Sequence, residues 1–421
     1  MASSQAVAAA VEARRDEIVE FLSEFVSIPT ENPPGRAYPE GATFLQQALT
    51  DRGYDVEEVT VPRDVVAQHY PDRAEHPRVN VLGHRHYGDG PTLHFTGHFD
   101  VVPAGEDWTY DPYEPVLEDG NLYGRGTSDM KAGIAASLLA VDALEAVDAE
   151  LSGTITQSMT VDEETGGFTG LGYLVEEGYF ADTDYCLYTE CFDSSRVCLG
   201  HRGVLKFTVT SQGRKAHGCM AHDGENAITA MTDFLARIDD YRERLHTRTT
   251  DLPVIPPESR RADISATMLD AGYSENVVPD RCSATFYRVL VPGESVAVVQ
   301  AEIEDLLTTA QNATDATFEY EEIMFAEPAA VPRDCTLSQT VARRVEQHHD
   351  DVEFVVSPGS DDQRFVVNDA GIENCVVYGP GLLEQAHVED EYVPVDEILT
   401  AATVMATTAI DLLGEDEPTE R

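Results

Sequence analysis

The chain has 421 residues, of which 77 are Asp or Glu and only 28 are Lys or Arg, giving a formal net charge of −49. A surface this negative excludes nucleic acids and anionic membranes as expected partners. Apolar residues make up 42% of the chain, which excludes a disordered protein, and the length is enough for roughly two or three domains of about 100–200 residues.

The acidic residues are spread along the whole chain, whereas lysine occurs only at Lys131, Lys206 and Lys215. Halophilic proteins use a solvated acidic shell of this kind, because salt screens its self-repulsion. We therefore predict a protein of a salt-rich cytoplasm, with an ordinary acidic enzyme as the alternative. Seven cysteines without a CxxC pair indicate free thiols in a reducing compartment. No signal peptide or membrane span is expected.

The first part of the chain alternates helical and strand-like patterns. An amphipathic helix at the N-terminus is followed by a helix over Thr43–Arg52, a strand over Thr92–Thr96, an Ala-rich helix after Met130, and strands over Thr154–Thr160 and Tyr185–Tyr188. The pattern returns after Pro332, with strands over Glu353–Val356 and Asn374–Tyr378. This alternation predicts an α/β domain, with a mixed sheet flanked by helices, formed by residues 1–202 and 324–421. The polar segment 414–421 is expected to be frayed.

The middle of the chain has a different pattern. Strands are predicted over Val204–Ser211, Ala262–Leu269, Ala284–Val289 and Ala316–Glu322, with helices over Asn226–Leu245 and Ser295–Ala310. The order β-α-β-β-α-β is that of the ferredoxin-like motif. We therefore predict an inserted α+β domain at residues 203–323, which makes the larger domain discontinuous.

A histidine and an aspartate follow the strand that ends near Thr96. Residues i and i+2 point the same way in an extended chain, so Asp100 can accept a hydrogen bond from one ring nitrogen of His98. The other nitrogen is then available to a metal ion. The alternative is a structural histidine beside a turn-capping aspartate.

Two further acidic motifs contain carboxylates that can act as metal ligands or as a general base. Asp129 follows a glycine-containing turn and precedes the Ala-rich helix, so it is either a metal ligand or a helix cap. Glu163 and Glu164 lie in an acidic run after the strand Thr154–Thr160. One of these two can bind a metal ion while the other acts as general base, or both can belong to a solvated acidic loop.

Glu190 follows another strand, and His387 follows a Gly-Pro-Gly loop in which Gly379 and Gly381 are expected to let the backbone turn. Taken in order, these motifs resemble the M20 family of metallopeptidases and amidohydrolases, and especially its acetylornithine deacetylase-like and succinyl-diaminopimelate desuccinylase-like members. The motifs that carry the resemblance are SIPTENPPG, HFDVVP, GRGTSDMKAG, DEETGG, TE, GRKAHG, NVVPD and GPGLLEQAH.

The resemblance implies two zinc ions per chain, with cobalt or manganese as possible substitutes. It implies that His98 and Glu190 complete one site, that Glu164 and His387 complete the other, and that Asp129 bridges both. Its further implications concern Glu163 as general base, Asp100 as the residue that orients His98, His217 as oxyanion donor, and Asn276 and Arg288 as ligands of a substrate carboxylate.

This sequence departs from the family pattern at two places. The residue two before Arg288 is Phe286 where the family often has aspartate, which weakens the assignment of Arg288. In the segment GSDDQR either Asp361 or Asp362 can correspond to the family's aspartate, and the following residues favour Asp362.

The resemblance implies a cytoplasmic homodimer, formed through the inserted domain, that removes an acyl group from a small N-acyl amino acid. A dipeptidase or carboxypeptidase acting on short peptides is the alternative within the family, because only the pocket would differ. A non-catalytic binding protein stabilised by metal is the alternative of another class. The presence of every expected ligand and of the base favours an enzyme.

Overall fold

The chain folds into two units, and the second interrupts the first twice. In the computed structural model, which describes residues 3–414, the first unit contains the residues up to Leu199, Val331–Phe354 and the residues from Phe365 onward. The second unit contains Gly200–Ala330 and Val355–Arg364. The expected insertion at 203–323 falls within the second unit, whereas the segment 355–364 was not predicted to belong there. Residues 415–421 of the expected frayed end lie outside the described residues.

The first unit begins with helices and then builds a sheet. Its elements up to residue 199 are α1 Ser4–Glu12, α2 Arg15–Val26, α3 Tyr38–Asp51, β1 Asp55–Thr60, α4 Arg63–His69, β2 Val79–His86, β3 Thr92–His98, β4 Val116–Glu118, β5 Asn121–Tyr123, α5 Ala132–Ala146, β6 Thr154–Thr160, α6 Leu171–Glu176, β7 Tyr185–Tyr188 and β8 Arg196–His201, which ends in the second unit.

The second unit supplies the next elements, and the chain then returns to the first. These elements are β9 Gly203–Gln212, β10 Ala216–His217, α7 Ala227–Leu245, β11 Asp263–Ala271, β12 Val277–Val278, β13 Arg281–Leu290, α8 Val296–Gln311, β14 Thr317–Ala326 and β15 Ala329–Ala330. The remaining elements are α9 Thr336–Val345, β16 Glu353–Ser357, β17 Cys375–Val377, β18 Tyr392–Pro394 and α10 Val395–Leu413. Of these, only β16 extends into the second unit, with its residues 355–357.

The main sheet of the first unit has the order β1-β2-β6-β3-β7-β17-β8. Its central strands β6, β3, β7 and β17 run parallel, while β1, β2 and β8 are antiparallel to their neighbours. This mixed sheet confirms the predicted fold class. Because the four central strands are parallel, their carboxyl ends meet at one edge, which is where open α/β sheets place their ligands.

Helices cover the sheet of the first unit. The Ala-rich helix α5 contacts β3, α10 and α1, and its residues Ala132–Leu144 are buried except for the partly exposed Asp142. Its apolar character on all sides fits this position, because a helix that is apolar all round is covered all round. A separate buried apolar cluster in this unit includes Leu82, Leu174 of α6, Cys186 and Phe365. No helix within residues 3–414 is long and apolar enough to cross a bilayer.

The second unit contains a four-stranded antiparallel sheet of order β11-β13-β9-β14. With α7 after β9 and α8 after β13, the connectivity is the predicted β-α-β-β-α-β. The apolar sides of α7 and α8 cover one sheet face in a core that contains Phe207, Phe234, Phe286 and Val299. A small antiparallel pair, β10 with β12, lies outside this sheet.

Candidate metal centre

The carboxyl ends of the parallel strands carry the predicted ligands. His98 is the last residue of β3, Glu163 and Glu164 follow β6, Glu190 follows β7, and His387 lies in the loop after β17. This arrangement follows from the parallel pairing, since adjacent parallel strands deliver the residues after them to the same edge of the sheet. Asp129 reaches this edge from a turn that precedes α5.

One donor group is formed by His98, Asp129 and Glu190. The Nε2 atom of His98 lies 3.3 Å from Oδ1 of Asp129 and 3.2 Å from Oε2 of Glu190. One ligand atom from each of the three residues lies within 4.8 Å of the others. His98 and Glu190 are buried, so this group is enclosed by protein.

A second donor group shares Asp129 with the first. The Nε2 atom of His387 lies 3.2 Å from Oδ2 of Asp129 and 3.0 Å from Oε2 of Glu164. Asp129 therefore turns one carboxylate oxygen to each group, which is the arrangement of a bridging ligand. The His387 side chain is 54% exposed, so this second group is open to solvent.

The donor chemistry fits divalent cations. Nε2 of His98 and Oε1 of Glu164 are buried and make no hydrogen bond. Burial, reinforced by the charge of Asp129, raises the pKa of Glu164 to about 7 and also raises the pKa of Glu190. Three carboxylates so close together need balancing positive charge, and mixed imidazole and carboxylate donors are a set that zinc and related metals accept. The residues present therefore fit two metal ions.

His98 is oriented by the main chain of Asp100. Its Nδ1 lies 3.0 Å from the carbonyl oxygen of Asp100 and 3.5 Å from that residue's Oδ1. A proton on Nδ1 then donates to the carbonyl and leaves the lone pair of Nε2 facing the donor group. The predicted neighbour of Nδ1, the Asp100 carboxylate, lies at the longer of these two distances, and the shorter contact is to the backbone carbonyl. The i, i+2 spacing placed the two residues together but did not reveal which oxygen makes the contact.

The carboxylate of Asp100 holds the acidic turn after β6. Its oxygens accept from the backbone N–H groups of Glu163 and Glu164, each at 3.3 Å, and from Nδ2 of Asn32 at 2.8 Å. Glu163 points one oxygen, Oε2, to within 3.9 Å of Nε2 of His98. It thus borders the first donor group without belonging to either group.

Asp162, the remaining acid of the run Asp162–Glu164, has a structural role. Asp162 is buried, and its carboxylate accepts from Nε of Arg78 at 2.7 Å and from the hydroxyl of Tyr38 at 2.9 Å. Like-charge repulsion among the three acids is therefore relieved in part by a buried cation. Sequence reasoning did not identify Arg78, because its position far from the acidic run gives no local signal.

The loop that precedes His387 packs tightly against the rest of the site. A Cβ atom added to Gly379 would lie 2.5 Å from the carbonyl oxygens of Thr189 and Glu190, and one added to Gly381 would lie 2.2 Å from that of Ser128. Both glycines have ordinary φ values, so they are required for close approach and not for the expected turn. The left-handed residue in this loop is His387 itself, with φ of 64°.

His217 and Asn276 lie close together in the second unit. His217 pairs with Val277 through β10 and β12, and the N–H of Gly218 donates to the carbonyl of Asn276 at 2.7 Å. Both side chains are exposed. Nδ1 of His217 accepts from the N–H of Cys219 at 3.3 Å, which leaves Nε2 facing away from this contact.

Arg288 does not have the position expected of a substrate ligand. Its side chain is fully buried, and Nη2 forms an ion pair with Oε1 of Glu294 at 2.5 Å. The guanidinium group also donates to Tyr241 and to the carbonyl of Val289. Because these partners occupy it within the second unit, the geometry argues for a structural cation and against a ligand of a substrate carboxylate.

The two aspartates of the GSDDQR segment are also buried in the second unit. Asp361 accepts from the N–H of Gln363 at 2.8 Å and lies 3.6 Å from Nε2 of His201. Asp362 lies 3.5 Å from Nη1 of Arg364. Neither aspartate is part of the two donor groups found among residues 3–414.

The sequence similarity of this chain to known proteins covers most of its length. The sequence profile of peptidase family M20/M25/M40 matches residues 94–411. A probable succinyl-diaminopimelate desuccinylase of Staphylococcus epidermidis is 28% identical over 404 residues, covering 91% of this chain and 94% of the relative. A succinyl-diaminopimelate desuccinylase of Xanthomonas euvesicatoria is 31% identical over 360 residues, covering 80% of this chain and 88% of the relative.

Solved structures of the same family share the fold. A Bacillus subtilis peptidase of family M20, which is described as binding a dinuclear metal centre, has a TM-score of 0.67 to this chain at 15% identity. The likeness covers 96% of this chain and 99% of the peptidase. At this level of identity it supports the fold and leaves the chemistry to the residues themselves.

Proposed function

The chain belongs to peptidase family M20/M25/M40 and is a hydrolase of amide bonds, and we propose that it removes the acyl group from an N-acyl amino acid. Substrates of the succinyl-diaminopimelate or acetylornithine type are the class we favour. The curated relatives described above, which are named as desuccinylases, support this choice of substrate. The observation that carries the proposal is the pair of donor groups that share Asp129, with Glu163 at their border.

The proposed reaction needs two metal ions. His98, Asp129 and Glu190 would hold one ion, and Asp129, Glu164 and His387 would hold the other. Bound divalent ions would acidify a water molecule and polarise the carbonyl of the scissile amide. Zinc suits this mixture of imidazole and carboxylate donors, and cobalt or manganese could substitute.

The remaining steps belong to side chains of the protein. Glu163 would accept a proton from the attacking water on its carboxylate and pass it to the leaving amine nitrogen as the C–N bond breaks. The products are the free amino acid and the carboxylate of the acyl group. His217 would donate a hydrogen bond to the developing oxyanion, and Asn276 would bind the carboxylate of the substrate. Asp100 would hold Glu163 and Glu164 in place through their backbone N–H groups.

We also propose a homodimer formed through the second unit. Strand β11 is an edge strand of its sheet. Two of its side chains, Met268 and Leu269, are 68% and 63% exposed, and the nearby Tyr273 is 68% exposed. An exposed apolar edge favours pairing with another strand. Sedimentation of the wild-type chain as a dimer, and of a Met268→Glu, Leu269→Glu double variant as a monomer, would support this assembly. A monomeric wild-type chain would refute it.

The proposed compartment is a reducing, salt-rich cytoplasm. None of the seven cysteines, all of which lie within residues 3–414, forms a disulfide, and five of them are buried, which suits a compartment where disulfides do not form. The acidic composition supports the high salt concentration.

A substrate panel tests the proposed reaction. The protein, loaded with zinc or cobalt in molar KCl, is assayed with N-succinyl-diaminopimelate, N-acetyl-ornithine, other N-acyl amino acids and dipeptides, and the released amine is quantified. We expect one N-acyl amino acid to have a kcat/KM at least about tenfold above every dipeptide, because pocket contacts discriminate by such factors. A preference for dipeptides would favour the peptidase alternative. Metal binding without hydrolysis of any compound would favour the non-catalytic alternative.

A further inference from the structure

Glu391 is a buried acid whose carboxylate oxygens accept hydrogen bonds from other groups of the protein. Its Oε1 accepts from the backbone N–H groups of Ser128 at 2.8 Å and Asp129 at 3.0 Å. Its Oε2 accepts from the N–H of Gly126 at 3.0 Å and from Nη1 of Arg125 at 2.7 Å. A carboxylate offers about four lone-pair sites, and these four donors fill them. Glu391 therefore has no acceptor site left for a metal ion or for solvent.

The charge of Glu391 is balanced by a cation that is itself fixed. Arg125 is 2% exposed, its guanidinium group lies 4.9 Å from the ring centre of Trp108, and Nη2 donates to the carbonyl of Ala104 at 3.4 Å. A buried ion pair costs desolvation energy unless its polar atoms find hydrogen-bond partners. Here the N–H groups of the turn at residues 126–129 fill the remaining acceptor sites of Glu391, while Nε of Arg125 is buried without a hydrogen bond. The pair thus holds a defined stretch of backbone.

The same turn is tied to the loop that presents His387. The hydroxyl of Ser128 donates to the carbonyl of Tyr392 at 2.8 Å and accepts from the N–H of Leu382 at 3.0 Å. Leu382 starts the short helical turn that leads to His387. The backbone around Asp129 and the backbone before His387 are therefore joined through one side chain.

We propose that Glu391 is a positioning residue for both metal sites. Its carboxylate, held by Arg125, fixes the backbone that presents Asp129, and Asp129 is the one residue common to the two donor groups. The inference rests on the proposed metal centre. It adds that one buried ion pair outside the ligand set controls the affinity of both sites together.

Replacing Glu391 with glutamine would keep the size and shape of the side chain but remove part of its hydrogen-bond acceptor capacity. An amide has one oxygen and one NH₂ group, so whichever way it is turned the NH₂ faces two N–H donors. Two of the four donors then lose their acceptor, and the turn around Asp129 must move. Glu389→Gln is the matched control, because Glu389 is exposed, lies two residues away and loses the same charge.

The experiment measures binding of Co²⁺ to the metal-free chain in molar KCl. Calorimetry gives the two affinities, and the visible absorption of bound Co²⁺ reports the geometry of its ligands. Loss of an outer contact to a ligand weakens metal binding by about 10–100-fold in known sites. We expect Glu391→Gln to weaken both sites by about tenfold or more and to alter the Co²⁺ spectrum, and Glu389→Gln to match the wild type.

A second variant separates positioning from general loss of structure. Arg125→Lys keeps the charge but replaces a planar group with a single ammonium, and we expect it to weaken both sites as well. Thermal unfolding of each metal-free variant is measured alongside. If the Glu391→Gln chain does not fold, the metal affinities of Arg125→Lys decide the test. In the folded variants, unchanged affinities and spectrum, or weakening of only one site, would overturn the inference. Failure of the wild-type chain to bind Co²⁺ would instead overturn the proposed function.

Discussion

Asp100 accepts a hydrogen bond from the backbone N–H of Glu163, with 3.3 Å between that nitrogen and Oδ1 of the aspartate. The same carboxylate accepts from the N–H of Glu164, and the carbonyl of Asp100 meets Nδ1 of His98. One residue thus connects the proposed base to a proposed ligand of each metal ion. A shift of Asp100 would disturb all three.

Glu163→Gln should abolish turnover without removing metal. The amide cannot accept the proton of the attacking water, so kcat should fall by at least about 10²-fold, the lower end of general acid–base catalysis. Metal content is measured by elemental analysis and kcat with the best substrate of the panel. Glu177→Gln, at an exposed acid beyond α6, is the control for a lost charge. Near-normal turnover in Glu163→Gln would show that another group is the base.

His217→Ala should lower kcat and leave the metal content unchanged. Loss of an oxyanion donor costs about 10²–10³-fold in kcat in enzymes that use one. His222→Ala is the matched control, because His222 is an exposed histidine of the same segment. Steady-state kinetics on both variants check the expectation. Equal kcat in His217→Ala and the wild type would remove His217 from the site.

His94 should make the fold sensitive to acid. Burial, together with the smaller effect of the nearby His84, lowers the pKa of His94 to about 3. The folded chain keeps this ring neutral, whereas the unfolded chain binds a proton below pH of about 6.5. Stability linked to His94 is therefore complete above about pH 6.5 and is lost as the pH falls toward 3, by up to about 1.4 kcal/mol per pH unit.

Substitution isolates this contribution. Between pH 6.5 and 5, the free energy of unfolding of the wild type should fall by about 2 kcal/mol more than that of His94→Gln. Urea unfolding of the metal-free chains in high salt measures the difference. His86→Gln, at an exposed histidine of strand β2 in the same sheet, should follow the wild type. A difference between wild type and His94→Gln that does not depend on pH would contradict the prediction.

Salt should stabilise the protein strongly. With a net charge of −49, repulsion at the surface opposes folding, and raising KCl from about 0.1 M to about 1 M shortens the screening length from about 10 Å to about 3 Å. The free energy of unfolding should therefore rise across this range. Sucrose at equal osmolality is the control, because it favours the compact state without screening charge. Full stability in dilute buffer would rule out adaptation to high salt.

Sequence patterns were most informative about the elements of the fold. The strands β3, β6 and β9 and the helices α5 and α7 have apolar periodicities that are local properties of the chain. The membership of residues 355–364 in the second unit was not accessible in this way. It depends on contacts such as the bridge between Val254 and Val356, whose partners lie far apart in sequence.

The candidate site was accessible because its residues follow strand ends in a fixed order. The individual contacts of these residues were harder to predict from the sequence. Glu391 lies in an acidic run of an acidic chain, where a solvated side chain is the natural expectation, and only the fold shows that it is buried beneath Asp129. Arg288 was expected at a substrate carboxylate, but its pairing with Glu294 depends on how the strand and the following turn pack.

Amide hydrolysis by this chain is proposed to depend on a pair of metal ions that share Asp129. The most direct measurement is the rate of hydrolysis of the best N-acyl amino acid as metal is added back to the metal-free chain, for the wild type and for Asp129→Asn. We expect no activity without metal, a plateau at about two equivalents per chain in the wild type, and loss of both binding and activity in Asp129→Asn. Full activity of the metal-free chain, or of Asp129→Asn, would contradict it.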